Sequence, residues 1–377
     1  MIYLDNAATS FPKPPGVAGA MGRVVAEVGG SPGRSSHRMA LEAARLVFAV
    51  REKAAALLGV DDSSRIVFTK NATESINLAL KGLVRAGDHV VTTAFEHDSV
   101  AATLRALEAA GAEVTRLRPA KGHTVGPDDV RKALRPATRM VVMTHASNVL
   151  GAIQPIAEVG GLCRSRGVLF MADCAQTAGA LPVDAESMAI DVLAATGHKS
   201  LLGPQGTGLL YLREGVEPAP LLHGGTGSAD RDAETPERLE AGTLNTPGIA
   251  GLGAAIDFLA ERTVAALRER EIELTARLLE GLASIKGVTV LGPREPEKRV
   301  PLVSFNIGGL DPQQVGMRLD GDFSIMVRCG LHCAPDAHSL AGTMPRGAVR
   351  ASPGCFTTED HIDALIAAVK EIAAGAA

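Results

Sequence analysis

Short apolar runs alternate, over the first 250 residues, with longer stretches in which apolar side chains recur every three or four positions. Seven runs predict strands: Arg65–Thr69, His89–Thr93, Glu113–Leu117, Met140–His145, Val168–Asp173, Val192–Thr196 and Gly208–Leu212. The stretches between them predict helices: Thr73–Val84, Ser99–Ala110, Pro127–Leu134 and Ile156–Arg166. Several of the strands are continuously apolar, which is typical of strands covered on both faces. The alternation predicts an α/β fold with a mostly parallel sheet and flanking helices.

The pattern changes after residue 250. Here the sequence predicts one long helix, two strands and a final amphipathic helix: Gly251–Ser284, Thr289–Leu291, Val300–Ile307 and Thr358–Ala374. Thr357 and Asp360 resemble a capping pair for the last helix. We therefore expect a large domain from residues 15–250 and a smaller α+β domain from residues 1–14 with 251–377. The loop Pro218–Pro236 is a candidate functional or interface segment.

Composition narrows the class of protein. The chain has 377 residues, with 38 Lys and Arg against 42 Asp and Glu, and no Trp. A net charge of -4 and so few aromatic side chains argue against nucleic-acid binding. No apolar run approaches the roughly 20 residues of a membrane span, and no secretory signal is recognisable. Five cysteines are too few for a disulfide framework, which indicates a reducing compartment. Together these features predict a cytoplasmic protein that binds neither membranes nor nucleic acid.

A lysine and an aspartate lie at the carboxyl ends of two predicted strands, where α/β sheets bind their ligands. Burial there would lower the pKa of Lys199 and make its amine a nucleophile for a Schiff base; a surface lysine is the alternative. Asp173 could hold a proton on a heteroaromatic nitrogen, as the acidic partner of pyridoxal phosphate does. It could equally cap a helix. The backbone N–H groups at the helix start near Thr73 are suited to bind a phosphate. The alternative is plain capping of the helix, which has the same geometry and needs no ligand.

The second half of the chain carries a cluster of sulfur and imidazole groups. Cys329, His332, Cys333 and His338 could bind zinc, although their spacing does not match the usual paired ligands. Cys333 could instead be a nucleophile whose thiolate is favoured by neighbouring arginine and histidine, or an inert buried cysteine. Arg350, within an apolar run, suits either a substrate carboxylate or a structural ion pair.

Taken together, these segments resemble the class V aminotransferase-like enzymes that use pyridoxal phosphate, and above all the cysteine desulfurases. The resemblance spans nearly the whole chain, from Tyr3-Leu-Asp-Asn-Ala-Ala8 to Arg350-Ala-Ser352. Its other motifs are Asn71-Ala-Thr-Glu-Ser75, Glu96-His97, His145-Ala-Ser-Asn-Val-Leu-Gly151, Asp173-Cys-Ala-Gln176, Thr196-Gly-His-Lys199 and Glu240-Ala-Gly-Thr243. The segment Arg328-Cys-Gly-Leu-His-Cys-Ala334 resembles the group II pattern, in which the final cysteine takes the sulfur.

The resemblance implies pyridoxal phosphate fold type I and a role for each matching residue. Lys199, Cys333 and His97 would be catalytic. The implied cofactor residues are Ala72, Thr73, His97, Asn148, Asp173, Gln176, Thr196, His198, Lys199 and Thr243, the last reaching the other subunit of a homodimer. Arg350, Asn148 and, less directly, His37 would bind the substrate. No metal is implied.

The implied reaction converts L-cysteine to L-alanine and leaves the sulfur on Cys333 as a persulfide. A sulfur-acceptor protein for iron–sulfur cluster assembly is the family expectation. Selenocysteine lyase and another class V aminotransferase or lyase are the rival enzymes, and a metal-binding or scaffold protein on the same fold is the non-enzymatic one. Cys329 would be either a resolving thiol or a spectator.

Overall fold

The computed structural model describes residues 1–33, 35–120, 122–225 and 234–375. Residues 226–233 of the predicted interface loop lie outside the described residues. The described helices are α1 Val17–Arg23, α2 Arg38–Leu57, α3 Ala72–Leu83, α4 Asp98–Ala109, α5 Pro127–Ala133, α6 Ile156–Ser165, α7 Thr246–Arg262, α8 Val264–Ala283, α9 Pro312–Phe323, α10 Pro335–Leu340 and α11 Glu359–Ala374. A π-helical turn, Val24–Val28, continues α1, and 3-10 turns cover Ser63–Arg65, Glu237–Leu239 and Pro296–Lys298.

The described strands form three sheets. They are β1 Ile2–Tyr3, β2 Ile66–Thr69, β3 His89–Thr93, β4 Glu113–Leu117, β5 Thr138–Thr144, β6 Leu169–Asp173, β7 Val192–Thr196, β8 Gly208–Leu212, β9 Val288–Val290, β10 Val303–Ile307, β11 Ile325–Met326, β12 Arg328–Gly330 and β13 Ala348–Ala351. Seven of them make the large sheet, in the order β2-β8-β7-β6-β5-β3-β4. Only β8 runs antiparallel to its neighbours. The predicted α/β class with a mostly parallel sheet is confirmed. Each of the seven strands predicted before residue 250 is present with its ends within two residues, whereas the strand predicted over Val300–Ile307 begins three residues later, at Val303.

The large sheet is covered on both faces because its central strands are apolar at successive positions. In β5, Val141 and Met143 belong to one apolar cluster, and Met140 and Val142 belong to the cluster on the opposite face. This is the period-two alternation of a strand, with both sides buried. Neighbouring carboxyl ends therefore meet at one edge of a rigid sheet, where a site can be built.

The predicted single helix over Gly251–Ser284 is wrong. The chain breaks between α7 and α8 at Thr263, which has φ 59° and ψ 135° and whose hydroxyl oxygen accepts the amide of Ala266 at 3.2 Å. Apolar spacing continues through this one-residue break, so periodicity does not reveal it. Residues of α7 such as Leu252 and Ile256 pack into the large core, whereas Leu278 of α8 packs into a second core. The division into two domains near residue 250 stays a prediction.

The second core lies between α8, α11 and a four-stranded antiparallel sheet of order β12-β13-β10-β9. Strand β1 pairs with β11, and Leu4 is buried in the same core, so the first residues fold with the last hundred. Helix α11 is capped by Thr358 and His361. The predicted pair, Thr357 and Asp360, is therefore one residue out of register: the Thr357 hydroxyl accepts the amide of Gly354 instead. Among the described residues, no helix has the length and apolarity of a membrane span.

Candidate active site

A cavity with about 730 Å³ of empty space lies at the carboxyl ends of β5, β6 and β7. It gathers residues that are far apart in the sequence, and nearly all of the implied cofactor residues are among them. Those present are Ala72, Thr73, His97, Asn148, Asp173, Gln176, Thr196, His198 and Lys199. The sheet therefore brings the separate motifs to one place.

Lys199 reaches the cavity from a tight turn after β7. The Lys199 carbonyl accepts the amide of Leu202 at 2.8 Å, and the Gly197 carbonyl accepts the amide of Gly203 at 2.7 Å. A Cβ at Gly197 would lie 2.0 Å from the Thr207 hydroxyl oxygen, so only glycine fits this close approach. Burial lowers the pKa of Lys199 to about 8; Asp173 opposes the shift, and two arginines add to it. The amine is thus partly neutral near physiological pH.

Asp173 is the last residue of β6 and is buried beside this amine. Its Oδ1 accepts the amide of Ala175 at 2.9 Å. Burial raises the pKa of Asp173, while the Ala175 amide and the Lys199 cation lower it. No helix begins here, which removes the helix-capping alternative. The carboxylate lines the cavity at the position suited to a protonated ring nitrogen.

An anion site lies where α3 begins. The first amides of α3 start at Ala72, and the Asn71 side chain caps the Glu74 amide at 2.9 Å. Thr196 Oγ1 and His198 Nδ1 are buried without a hydrogen-bond partner. Unpaired buried polar atoms are costly, so two of them beside a helix N-terminus indicate that the site is built for a ligand with acceptor oxygens. Both residues line the same cavity as Lys199 and Asp173, so the whole set fits pyridoxal phosphate.

His97 is the N-cap of α4. Its Nδ1 accepts the Ser99 amide at 3.1 Å, which places the proton of the neutral ring on Nε2. Burial lowers the pKa of His97 to about 4, and the Lys199 charge contributes. The imidazole is therefore neutral throughout the physiological range. A neutral ring at this place suits stacking against an aromatic cofactor.

The loop that follows β12 carries Cys333 and lies beside the cavity. The Asp98 amide donates to the Cys333 carbonyl at 2.8 Å, and Asn148 Nδ2 donates to the His332 carbonyl at 2.6 Å. The Cys333 side chain is exposed, and its Sγ lies 3.6 Å from a guanidinium nitrogen of Arg328. Cys333 itself is not among the residues that line the cavity, but its neighbour Arg328 is, so the loop holds an accessible thiol beside a cation at the edge of the site.

Cys329 has a different environment from Cys333. It packs against α9, where a Cβ at Gly316 would lie 2.4 Å from its Sγ. Burial raises the pKa of Cys329 to about 11. This thiol is poorly suited to react, which favours the spectator alternative. The zinc alternative is disfavoured as well, because His332 Nδ1 and His338 Nε2 face each other at 3.2 Å and hydrogen bond directly.

Arg350 is buried on β13 and has two partners. One guanidinium nitrogen donates to Asp5 Oδ1 at 3.1 Å, and another donates to the Asn148 carbonyl at 3.0 Å. Its Nε is buried without a partner. Burial lowers the pKa of Arg350 to about 10, and Asp5 opposes that shift. Arg350 could either bind a substrate carboxylate or form a structural ion pair, and the structure shows the ion pair with Asp5. A substrate carboxylate would therefore share the guanidinium with Asp5.

The single chain does not bring His37 or Thr243 into the cavity. His37 is exposed and caps α2, accepting the Ala40 amide at 3.3 Å. Thr243 is exposed on a separate groove. Arg328, by contrast, lines the cavity although the sequence analysis gave it no site role of its own. Its position in the motif before Cys333 was the available signal.

The chain belongs to the class V aminotransferase family, whose model matches residues 2–365. Within that family it is a member of the cysteine desulfurases. It is 36% identical to a probable cysteine desulfurase of Methanothermobacter thermautotrophicus over 99% of this chain and 94% of that protein. It is 34% identical to the cysteine desulfurase IscS of Aeromonas hydrophila, over 98% of this chain and 92% of that protein.

Solved structures agree with this assignment. The apo cysteine desulfurase from Thermococcus onnurineus has a TM-score of 0.93 and 34% identity, covering 99% of this chain and 95% of that one. The cysteine desulfurase CsdA from Escherichia coli has a TM-score of 0.89 and 28% identity, with 100% and 95% covered. The expected family, fold type and cofactor are therefore confirmed.

Proposed function

We propose that this protein is a pyridoxal phosphate-dependent desulfurase that converts L-cysteine to L-alanine and takes the sulfur on Cys333. The observation that carries the proposal is the joint placement of two groups. An exposed thiol with an adjacent guanidinium lies at the edge of the cavity that holds Lys199 and Asp173. The loop carrying the thiol is hydrogen bonded to Asn148, which lines that cavity, and to Asp98 beside His97.

The residues of the cavity would hold the cofactor in a defined orientation. Thr73, Thr196, His198 and the first amides of α3 would bind the phosphate, and Asp173 would keep the ring nitrogen protonated. His97 would stack on the ring, and Lys199 would bind covalently. When bound, pyridoxal phosphate supplies an electron sink for negative charge at the substrate α-carbon.

Lys199 is suited to move the α-proton. Burial lowers its pKa to about 8, so its neutral amine can accept a proton and its ammonium form can return one. Asp173 lies close enough to influence that pKa. Arg350, with Asp5 and the Asn148 carbonyl around it, would orient the substrate carboxylate.

Cys333 would take the sulfur. Its thiolate forms a bond to the sulfur of L-cysteine while the substrate carbon–sulfur bond breaks, and the bonding electrons stay with the carbon. Protonation of that carbon gives L-alanine, and Cys333 is left as a persulfide. The guanidinium of Arg328 lies 3.6 Å from Sγ, where it can donate a hydrogen bond to the sulfur. The named relatives are cysteine desulfurases, so selenocysteine lyase and a thiol-independent lyase are not favoured.

A homodimer, a sulfur-acceptor protein and a cytoplasmic location belong to the same proposal. Thr243 is exposed, and a buried ion pair anchors its segment: both guanidinium nitrogens of Arg51 donate to Glu240, at 2.7 and 2.9 Å. An exposed threonine on an anchored segment supports contact with another subunit. Large apolar side chains are exposed on and near α2, which also supports an interface with another subunit: Val25, Met39, Leu41 and Phe48. All five cysteines are free thiols, which suits a reducing compartment.

The test is alanine release from L-cysteine by the cofactor-loaded enzyme with a thiol reductant present. The proposal predicts equal amounts of alanine and sulfide, and no alanine or sulfide from L-serine. Alanine without sulfide, or turnover of L-serine at a comparable rate, would reject desulfuration. A parallel assay with L-selenocysteine measures the preference between the two substrates.

Asp5→Asn is expected to lower KM for L-cysteine by at least about threefold, the size of one partly exposed charge interaction. The Asp5 carboxylate competes with the substrate carboxylate for Arg350, and asparagine keeps a hydrogen-bond acceptor while removing the charge. Steady-state kinetics measure the change. Asp363→Asn, which breaks a surface ion pair with Arg277, is the matched control. An unchanged or higher KM in Asp5→Asn would contradict the competition.

Loading of the cofactor-free protein with pyridoxal phosphate is expected to follow the neutral fraction of Lys199. Burial lowers the pKa of this lysine to about 8, so the neutral fraction rises only about tenfold between pH 7 and 9 and then levels. An ordinary lysine would show a rise of about a hundredfold over that range. Stopped-flow absorbance measures the rate of covalent loading. A rate that continues to rise steeply above pH 9 would show that Lys199 is not perturbed.

A further inference from the structure

A chain of three hydrogen-bonded side chains lies behind the Cys333 loop. His332 Nδ1 lies 3.2 Å from His338 Nε2, and His338 Nδ1 lies 2.7 Å from the Thr343 hydroxyl oxygen. At the other end, His332 Nε2 lies 3.3 Å from the Arg328 carbonyl oxygen. Both imidazoles are buried, at 3% and 0% exposure. The mechanism above does not use any of these three side chains.

The carbonyl oxygen at one end of this hydrogen-bond chain determines which ring nitrogens carry protons. A carbonyl oxygen only accepts, so His332 Nε2 carries a proton and donates to Arg328. The neutral His332 ring then accepts at Nδ1, which requires His338 to donate from Nε2. His338 Nδ1, at 2.7 Å, then accepts the Thr343 hydroxyl proton in place of the His338 carbonyl oxygen, which lies 3.3 Å from the same hydroxyl. Burial lowers the pKa of His332 to about 3 and that of His338 to about 4, with Arg350 contributing to both and Arg328 to His332, so both rings stay neutral.

The chain ends on a backbone carbonyl and not on the thiol. It therefore cannot deliver a proton to Cys333, and its effect is to fix the loop. It connects Arg328, on β12, to α10 and to the turn that follows α10. The loop needs such support because His332 and Cys333 have φ of 50° and 56°, in the left-handed region that is unfavourable for side chains of this size.

We propose that Thr343, His338 and His332 are positioning residues that hold Cys333 and Arg328 in their reactive arrangement through one directional hydrogen-bond chain. The expected effect of these residues on sulfur transfer rests on the proposed function. Their expected effect on the reactivity of the Cys333 thiol does not, because that reactivity is measured without substrate. The two can therefore be tested separately.

The first test is the tautomer of each ring. Nitrogen-15 NMR of histidine-labelled holoenzyme at pH 7 reports which ring nitrogen carries the proton, and single His→Asn variants assign the signals. The proposal requires His332 and His338 to be neutral with the proton on Nε2. A proton on Nδ1 of either ring, or a protonated His332, would overturn it regardless of any activity.

The second test breaks the chain at its far end. Thr343→Val removes the hydroxyl at nearly constant volume, and Thr343→Ser restores it. In Thr343→Val we expect Cys333 to react with iodoacetamide about tenfold more slowly and kcat for alanine formation to fall about tenfold, as for one lost buried hydrogen bond. KM should stay unchanged because Arg350 is not touched. Thr343→Ser should keep at least half of both rates.

A merely structural role predicts a different result. In that case Thr343→Val lowers the thermal unfolding temperature and leaves the alkylation rate of Cys333 and kcat as in the wild type. That outcome, or equal losses in the valine and serine variants, would reject the positioning role. Slower alkylation with no alanine from the wild type would instead support the chain and reject the proposed function. If Thr343→Val does not fold, the tautomers in the wild type still decide the proposal.

Discussion

Lys199→Ala should abolish alanine formation from L-cysteine, with a loss of at least about 10⁴-fold, the upper range for removing a general base. The buried amine has no substitute among the described residues that line the cavity, because the other titratable groups there are two neutral histidines, the Asp173 carboxylate and the Arg328 guanidinium. Pyridoxal phosphate should still bind without a covalent bond, held by Asp173 and the phosphate residues. Alanine release and cofactor retention after gel filtration measure the two effects.

The control for this variant is Lys53→Ala. Lys53 is a half-exposed lysine whose Nζ lies 2.7 Å from Asp257, and it lines a different pocket from Lys199. It should retain full activity. Residual turnover above about 1% in Lys199→Ala would contradict its role as the proton carrier. Loss of cofactor binding as well would show that the contacts from Asp173 and the phosphate site are weaker than the structure indicates.

Cys333→Ala should lower alanine formation at least about a hundredfold while the cofactor absorbance stays unchanged. Without this thiolate no protein atom accepts the sulfur, because Cys333 is the exposed cysteine at the edge of the cavity. Cys329→Ala is the matched control, four residues earlier. Its thiol is half-buried and has a pKa raised to about 11, so it should be dispensable, and activity should stay within about twofold.

Each variant has an outcome that would contradict this account. Equal alanine from Cys333→Ala and the wild type would indicate a lyase that needs no thiol. A comparable loss in Cys329→Ala would show that Cys329 is a resolving thiol after all. Both variants should be compared at the same cofactor occupancy, since loss of cofactor would lower alanine formation without involving either cysteine.

The strands of the central sheet were predictable because each one is marked by its own short run of apolar residues. Continuous apolar runs at β5, β6 and β7 follow from burial on both faces, and the sequence places them within two residues. The break at Thr263 was not predictable, because one residue in an unusual conformation interrupts the backbone without interrupting the apolar spacing. Helix α2 was overlooked although its signal was present, with buried Ala40, Ala43, Val47, Val50 and Ala54 at helical spacing.

Some residues of the candidate site could likewise be predicted from the sequence, and others could not. Lys199 and Asp173 could be placed from the strands they follow, because the position at a carboxyl end is itself the signal. The Asp5–Arg350 pair joins residues 345 apart in the chain, so only the folded chain reveals it. The hydrogen-bond chain behind Cys333 depends on ring orientations that no spacing encodes. The role of Thr243 needs a second subunit and remains a proposal, and the substrate-binding role of His37 stays a prediction.

The most direct test of the central claim is to follow the sulfur atom itself. The holoenzyme is mixed with one equivalent of L-cysteine carrying heavy sulfur, without reductant, then alkylated, digested and analysed by mass spectrometry. Sulfur transfer to Cys333 predicts one heavy sulfur atom on Cys333, none on the other four cysteines, and an equal amount of alanine. Alanine with no heavy sulfur on the protein, or heavy sulfur on a different cysteine, would contradict it.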